Sequence, residues 1–98
     1  MTDTGIDNPA TGRLSITTTS QTIDLGSARR QVRVWLEKGA SDVHLSLHPA
    51  SPFTITATDA FPRIDDGIGY ARAVAFPGTR YLHFIGAGAT GKLNYEAW

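Results

Sequence analysis

Three histidines are the residues of this sequence best suited to acid–base chemistry or metal binding. His44 and His48 lie four positions apart, and His83 follows much later in the chain. If the segment around His44 is extended, the first two rings lie on one face about 13 Å apart, too far to share a metal ion. His83 could meet one of them across strands. We interpret all three as solvent-facing residues of strands and predict no metal site.

Carboxylates are densest at Asp59, Asp65 and Asp66. A calcium site or a pair of catalytic carboxylates would need these groups to converge. The EF-hand spacing is absent, and Asp65-Asp66-Gly67 has the composition of a simple turn. No serine or threonine lies in a nucleophile-elbow context. We therefore predict a turn, no catalytic residues and no cofactor, and we expect that the protein is not an enzyme.

Residues 86–91 match the spacing G-x-G-x-x-G of dinucleotide-binding loops. That motif works only when a helix follows it directly, because the helix N-terminus binds the pyrophosphate. Residues 92–98 instead alternate between apolar and polar side chains, as a strand does. We predict a glycine-rich hairpin loop without a nucleotide.

Two tryptophans are the strongest candidates for contact with a partner. Trp35 shares a strand face with Arg33 and Glu37, while the opposite face is apolar, and Trp98 ends the last predicted strand. A strand that is apolar on both faces indicates burial in a core or an oligomer interface, although aromatic side chains also stack on sugars. We select Trp35 and Trp98 as candidate partner-binding residues.

The elements that must position these residues are short strands. Apolar and polar residues alternate with a period of two, and turn residues recur roughly every 8–12 positions. The clearest strand, 31–38, is expected to form a hairpin with the strand that starts at Val43. Other strands are predicted around 14–17, 22–25, 53–58, 70–76, 80–85 and 92–98. With no helical segment, the pattern predicts an all-β fold, a single small antiparallel β-sandwich or jelly roll of about seven to eight strands.

The amino-acid composition restricts the classes of partner that the protein is expected to bind. The 98 residues include nine basic and nine acidic side chains, so the formal net charge is zero. This balance argues against nucleic acid or an anionic membrane held by bulk electrostatics. No apolar run approaches the roughly 20 residues of a membrane-spanning helix. The chain has no cysteine, which excludes disulfides and zinc–thiolate sites. We expect no nucleic-acid and no membrane partner.

Residues 1–12 are rich in Thr, Asp, Asn, Gly and Pro. Such a segment buries too little apolar surface to join a core, so we predict a flexible N-terminal arm at 1–12 and a β-sandwich domain at 13–98. Ile6 and Pro9 are the arm's apolar residues and are further candidates for partner contact.

Five segments, in this order, carry a resemblance to a known class of protein. They are S-I-T-T-T-S-Q-T-I-D-L, V-R-V-W-L, V-H-L-S-L, T-I-T-A-T-D and R-Y-L-H-F-I-G-A-G-A-T-G. Over most of residues 14–98 the chain resembles small β-sandwich virion proteins encoded near the major capsid gene of tailed bacteriophages, among them capsid decoration (cement) proteins. The resemblance implies a structural protein that is made in the host cytoplasm and located on the outer capsid surface of the virion. It further implies a homotrimer that binds the major capsid protein and stabilises the head by bridging its subunits.

Alternative functions remain open at this stage. A carbohydrate- or receptor-binding module would stack sugars on Trp35, Tyr70 or Tyr81. A head–tail or tail structural component would share the sequence features of a decoration protein. A small enzyme would need His83 and a carboxylate from the aspartate group to converge in a pocket.

Overall fold

The computed structural model describes residues 10–58, 61–65, 69–73 and 79–98, which form eight β-strands and no helix within these ranges. Turn residues separate the strands, and apolar side chains alternate along them. The strands are β1 (Ala10–Ser15), β2 (Gln21–Arg29), β3 (Gln31–Leu36), β4 (Val43–Ser46), β5 (Arg63–Ile64), β6 (Gly69–Ala73), β7 (Thr79–Gly86) and β8 (Lys92–Ala97).

The strands form two antiparallel sheets of four. Sheet 1 has the order β1-β8-β3-β6, and sheet 2 has the order β2-β7-β4-β5. The first strand thus pairs with the eighth, the second with the seventh, the third with the sixth and the fourth with the fifth. The two further pairs, β3 with β8 and β4 with β7, close this antiparallel ribbon into two sheets. This strand order is that of a jelly roll, so the predicted all-β sandwich is confirmed.

The core lies between the inner faces of the two sheets. Val32 and Val34 of sheet 1 are fully buried, as are Leu82 and Phe84 of sheet 2. In each strand these residues alternate with side chains that point away from the core, as the period of two predicts. Leu93 of β8 is also fully buried, and it lies in register with Leu36 of β3.

The predicted hairpin between β3 and β4 is wrong. β3 belongs to sheet 1 and β4 to sheet 2, so residues 37–42 cross from one sheet to the other. The glycine-rich loop after β7 crosses in the same way and is not a hairpin either. The two crossings are hydrogen-bonded to each other, from the Ser41 amide to the Thr90 carbonyl (2.8 Å) and from the Ala87 amide to the Asp42 carbonyl (2.8 Å). A hairpin within one sheet and a crossing between two sheets both need a short polar connection between two strands. The local sequence therefore does not distinguish them.

The predicted strand at 53–58 is also wrong. These residues are irregular and belong to the long connection between β4 and β5. Ile55 is fully buried, and its amide donates to Ser20 Oγ (3.0 Å). The alternation of Phe53 and Ile55 therefore reflects packing of an irregular segment. The two-residue strand β5 is too short for a period to show in the sequence.

The described strands begin at Ala10, three residues before the predicted domain boundary. Residues 10–12 pair with β8 and are part of sheet 1. Residues 1–9, including Ile6 and Pro9, lie outside the described residues, as do residues 74–76 of the strand predicted at 70–76.

Candidate contact surface

Trp35 and Trp98 lie on the same outer face of sheet 1. Trp35 is in register with Asn94 of β8, and Trp98 continues β8 through backbone hydrogen bonds with Gln31 (2.8 and 3.0 Å). Side chains alternate across a strand, so positions 31 and 35 of β3 and 94 and 98 of β8 share one face. The two tryptophans are thus four residues apart along the sheet, or about 13 Å, and both are half-buried.

An ion pair lies between the two tryptophans. Arg33 and Glu96 face each other in register, with Nη1 and Oε1 3.9 Å apart. The Arg33 guanidinium also lies 4.8 Å from the centroid of the Trp35 ring. We call the surface formed by Arg33, Trp35, Glu96 and Trp98 the tryptophan face. The opposite charges at its centre balance each other, so this surface exerts little electrostatic steering.

β6 leaves room beside the tryptophan face. Gly69 is the register partner of Trp35, and Ala71 is the partner of Arg33. A Cβ at Gly69 would lie 3.8 Å from the Trp35 Cβ, an ordinary contact distance. Small residues therefore border the indole on this side, and the surface is flat there.

A second group of charged side chains lies on the same outer face, toward β1. Arg13 Nη2 donates to Glu37 Oε1 (2.9 Å), and Asn94 Nδ2 donates to Glu37 Oε2 (3.0 Å). The Arg13 and Asn94 hydrogen bonds lower the pKa of Glu37 from its ordinary 4.5 to about 2. The same pairing raises the pKa of Arg13. Lys92 Nζ donates to Ser15 Oγ (2.7 Å) along this edge. The charged side chains named here are thus partnered within the sheet.

The interpretation of the histidines as solvent-facing is wrong for two of the three. His83 is fully buried and His44 is 6% exposed, although both point away from the core of the sandwich. The connection between β4 and β5 packs over them, and His44 Nδ1 donates to the Phe61 carbonyl (3.2 Å). His48 is exposed and contacts His83, as the sequence suggested, with ring centroids 6.5 Å apart. The sequence feature that could have revealed this burial is the apolar content of the connection between β4 and β5.

The described histidines and aspartates of the candidate group are bonded to other parts of the protein. No group of three His, Asp or Glu side chains in this part of the chain is arranged to hold a metal ion. Asp65 pairs with Arg63 (3.1 Å), whereas Asp59 and Asp66 lie outside the described residues. Both ring nitrogens of His83 are engaged within the protein, which leaves neither for a substrate.

The three aromatic side chains considered for sugar binding do not share a surface. Trp35 is on the outer face of sheet 1, and Tyr81 is on the outer face of sheet 2, where Arg80 lies 5.5 Å from its ring centroid. Tyr70 packs against the hydrophobic core. A platform of coplanar rings therefore cannot be built from these three residues.

Searches among known protein families, curated protein sequences and solved structures gave no match to this chain. In the part of the chain that the structure describes, no helix is long and apolar enough to cross a membrane. Sheet topology and the geometry of the surface are therefore the observations on which a function can be argued.

Proposed function

We propose that this chain is a structural virion protein of a tailed bacteriophage, a capsid decoration (cement) protein that binds the outer surface of the head through its tryptophan face. The observation that carries the proposal is the position of Trp35 and Trp98 on one outer face. Tryptophan is enriched among residues that dominate protein–protein binding energy, and two half-buried indoles form a contact patch of useful size. The segment V-R-V-W-L of the resemblance is β3 itself.

The fold supports this proposal without deciding it. Jelly rolls are frequent in viral capsid domains and in lectins, and one fold serves many functions. A protein that binds only the assembled lattice of the major capsid protein stabilises that lattice by mass action. A homotrimer would present three tryptophan faces at once, so that each contact could be weak while the assembly binds tightly.

Co-sedimentation with purified heads of the phage that encodes the chain tests the proposal. We expect the unmodified protein to pellet with heads, and Trp35→Ala and Trp98→Ala each to weaken binding about tenfold or more. Tyr81→Ala is the matched control, because Tyr81 is a half-buried aromatic residue on the outer face of the other sheet. Circular dichroism confirms that each variant is folded. Failure to bind heads, or an equal loss with Tyr81→Ala, contradicts the proposal.

Light scattering on a sizing column tests the homotrimer. The full chain is compared with a variant that lacks residues 1–9, because residues 10–12 belong to β1 and must be kept. A trimer that survives this deletion leaves the first nine residues free to contact the capsid. Dissociation on deletion would assign them to assembly of the trimer, and a monomeric full chain speaks against a preformed trimer.

The alternatives have distinct outcomes. A carbohydrate- or receptor-binding module would bind glycans on an array and lose that binding in Trp98→Ala. Trp35 is a poorer sugar platform, since Arg33 already occupies a face of its ring. A head–tail or tail component would be found with purified tails and not with heads.

A further inference from the structure

The connection between β4 and β5 covers the outer face of sheet 2. We call its described residues, 47–58 and 61–62, the cover. It is anchored at one end by the Leu45 amide, which donates to the Pro62 carbonyl (2.9 Å), and near its middle by the bond from Ile55 to Ser20. Ile55 is buried outside the main hydrophobic core. The cover and the outer face of sheet 2 therefore form a small second layer of packing.

His83 lies beneath the cover with both ring nitrogens bonded. Nε2 is 3.0 Å from the His48 carbonyl oxygen, and Nδ1 is 2.8 Å from Thr22 Oγ1. A carbonyl only accepts, so Nε2 carries the proton and Nδ1 of the neutral ring accepts from the threonine hydroxyl. The bond from Nε2 joins sheet 2 to the cover directly. A proton added at Nδ1 would place a positive charge in a fully buried site.

His48 belongs to the cover and contacts the His83 ring. Its Nδ1 accepts from the Ala50 amide (3.1 Å), and its ring stacks on Phe53 with centroids 4.1 Å apart and planes 7° apart. Phe53 in turn lies 4.9 Å from the His83 ring. The His83 ring thus ties the cover to sheet 2, and its burial opposes a positive charge on it.

We propose that the cover is an acid-released flap, which closes over the outer face of sheet 2 when His83 is neutral and opens when His83 takes up a proton. The opening exposes the rings that pack together in the second layer, chiefly Phe53 and His83. It does not depend on the proposed capsid binding, because the tryptophan face lies on the other sheet.

The neighbouring charges do not offset a proton at His83. On β2, Asp24 is already bound by Arg80 of β7 (2.9 and 3.1 Å). On β4, His44 donates to the Phe61 carbonyl, and β5 contributes Arg63, which pairs with Asp65. Tyr81 of β7 lies beside the His83 ring with centroids 6.4 Å apart.

The direction of the pH effect follows from the buried state of His83. Burial is the main cause that lowers the pKa of His83 below its ordinary 6.5, and it outweighs the hydrogen bond to the His48 carbonyl, which raises this pKa. The open state therefore binds protons more readily than the closed state. The closed state is most stable relative to the open state above pH 6.5, and this stability decreases as the pH falls below that value. Each proton taken up on opening changes the opening equilibrium by up to about tenfold per pH unit.

Hydrogen exchange of single amides, measured by NMR as protection factors corrected for the intrinsic pH dependence, tests the proposal on the full chain. The Ile55 and Leu45 amides report on the cover. The Arg30 and Gln31 amides, which both donate to the Trp98 carbonyl, report on sheet 1. From pH 7.5 to 5.0 we expect protection to fall by up to tenfold per pH unit below about 6.5 at the first pair only. A parallel fall at both pairs, or none at the first, overturns the proposal.

Two variants and one direct measurement assign the effect. His83→Gln should abolish most of the pH dependence at Ile55, whereas His44→Gln, the control on the same face, should leave it in place. If His83→Gln does not fold, the ring titration of His83 in the unmodified protein decides. The ring must take up its proton over the pH range in which Ile55 loses protection, and a titration outside that range refutes the flap.

Discussion

Glu37 shows how strongly one exposed carboxylate can be held by its neighbours on a sheet. It accepts from Arg13 of β1, across β8, and from Asn94 of β8, so its charged form has two dedicated donors. Because charge-assisted hydrogen bonds favour ionisation, its pKa falls to about 2. The residue is solvent-exposed, and salt screens much of the gain in stability.

We predict that the Glu37 carboxyl titrates near pH 2 by NMR and that Arg13→Gln moves its pKa back toward 4.5. Since the folded pKa lies below the ordinary value, the contribution to stability is present above pH 4.5 and is lost as the pH falls toward 2. Arg80→Gln is the control, since it removes an equivalent ion pair with Asp24 on sheet 2. An ordinary Glu37 pKa in the unmodified protein would contradict the pairing.

His83 marks the limit of sequence reasoning for a single residue. The alternation of β7 places it opposite the core residues Leu82 and Phe84, and this is observed. Alternation decides which face a side chain takes but not whether a second layer covers that face. The covering segment, from His48 to Phe61, is distant from His83 in the chain. The alternation within β7 therefore does not predict its packing.

At the scale of elements, the two loops that cross between the sheets pack against each other. Gly91 has a positive φ of 90°, and a Cβ there would lie 2.6 Å from the Cα and Cβ of Ala40. Gly39 has a similar φ of 85° but faces open space. Both glycines permit a left-handed backbone, whereas only Gly91 also permits close approach of the second loop.

We predict that Gly91→Ala destabilises the fold more than Gly39→Ala. The left-handed conformation costs about 1–2 kcal/mol in either variant, and the contact with Ala40 adds about 1–3 kcal/mol in Gly91→Ala only. Urea unfolding of the two variants, followed by tryptophan fluorescence, measures the difference in free energy of unfolding. Equal losses would show that the loops move apart to admit a methyl group.

At the scale of the whole molecule, β8 is central to sheet 1 although it is the last strand. It lies between β1, the first described strand, and β3. Sheet 1 is therefore complete only when distant parts of the chain have met. The chain therefore loses the conformational entropy of closing these long loops before it gains the stabilising contacts between the strands.

We predict that the chain refolds slowly for its size, with its main phase in milliseconds to seconds, as is usual for folds dominated by non-local strand pairs. Stopped-flow dilution from urea measures this rate, with the fluorescence of Trp35 and Trp98 as the probe of sheet 1. Refolding within microseconds would indicate that local contacts dominate, and would contradict the pairing of β1 with β8.

The sequence by itself determined most of the strands and the inward face of the clearest one. The alternation of Val32, Val34 and Leu36 predicts their common face correctly, because the period of two is a local property of an extended backbone. The tertiary structure alone decided that β3 pairs with β8 and not with β4. It also placed Trp35 and Trp98 on one face and the cover over His83. Strand pairing depends on contacts between segments far apart in the chain, and the same alternating strand fits several neighbours equally well.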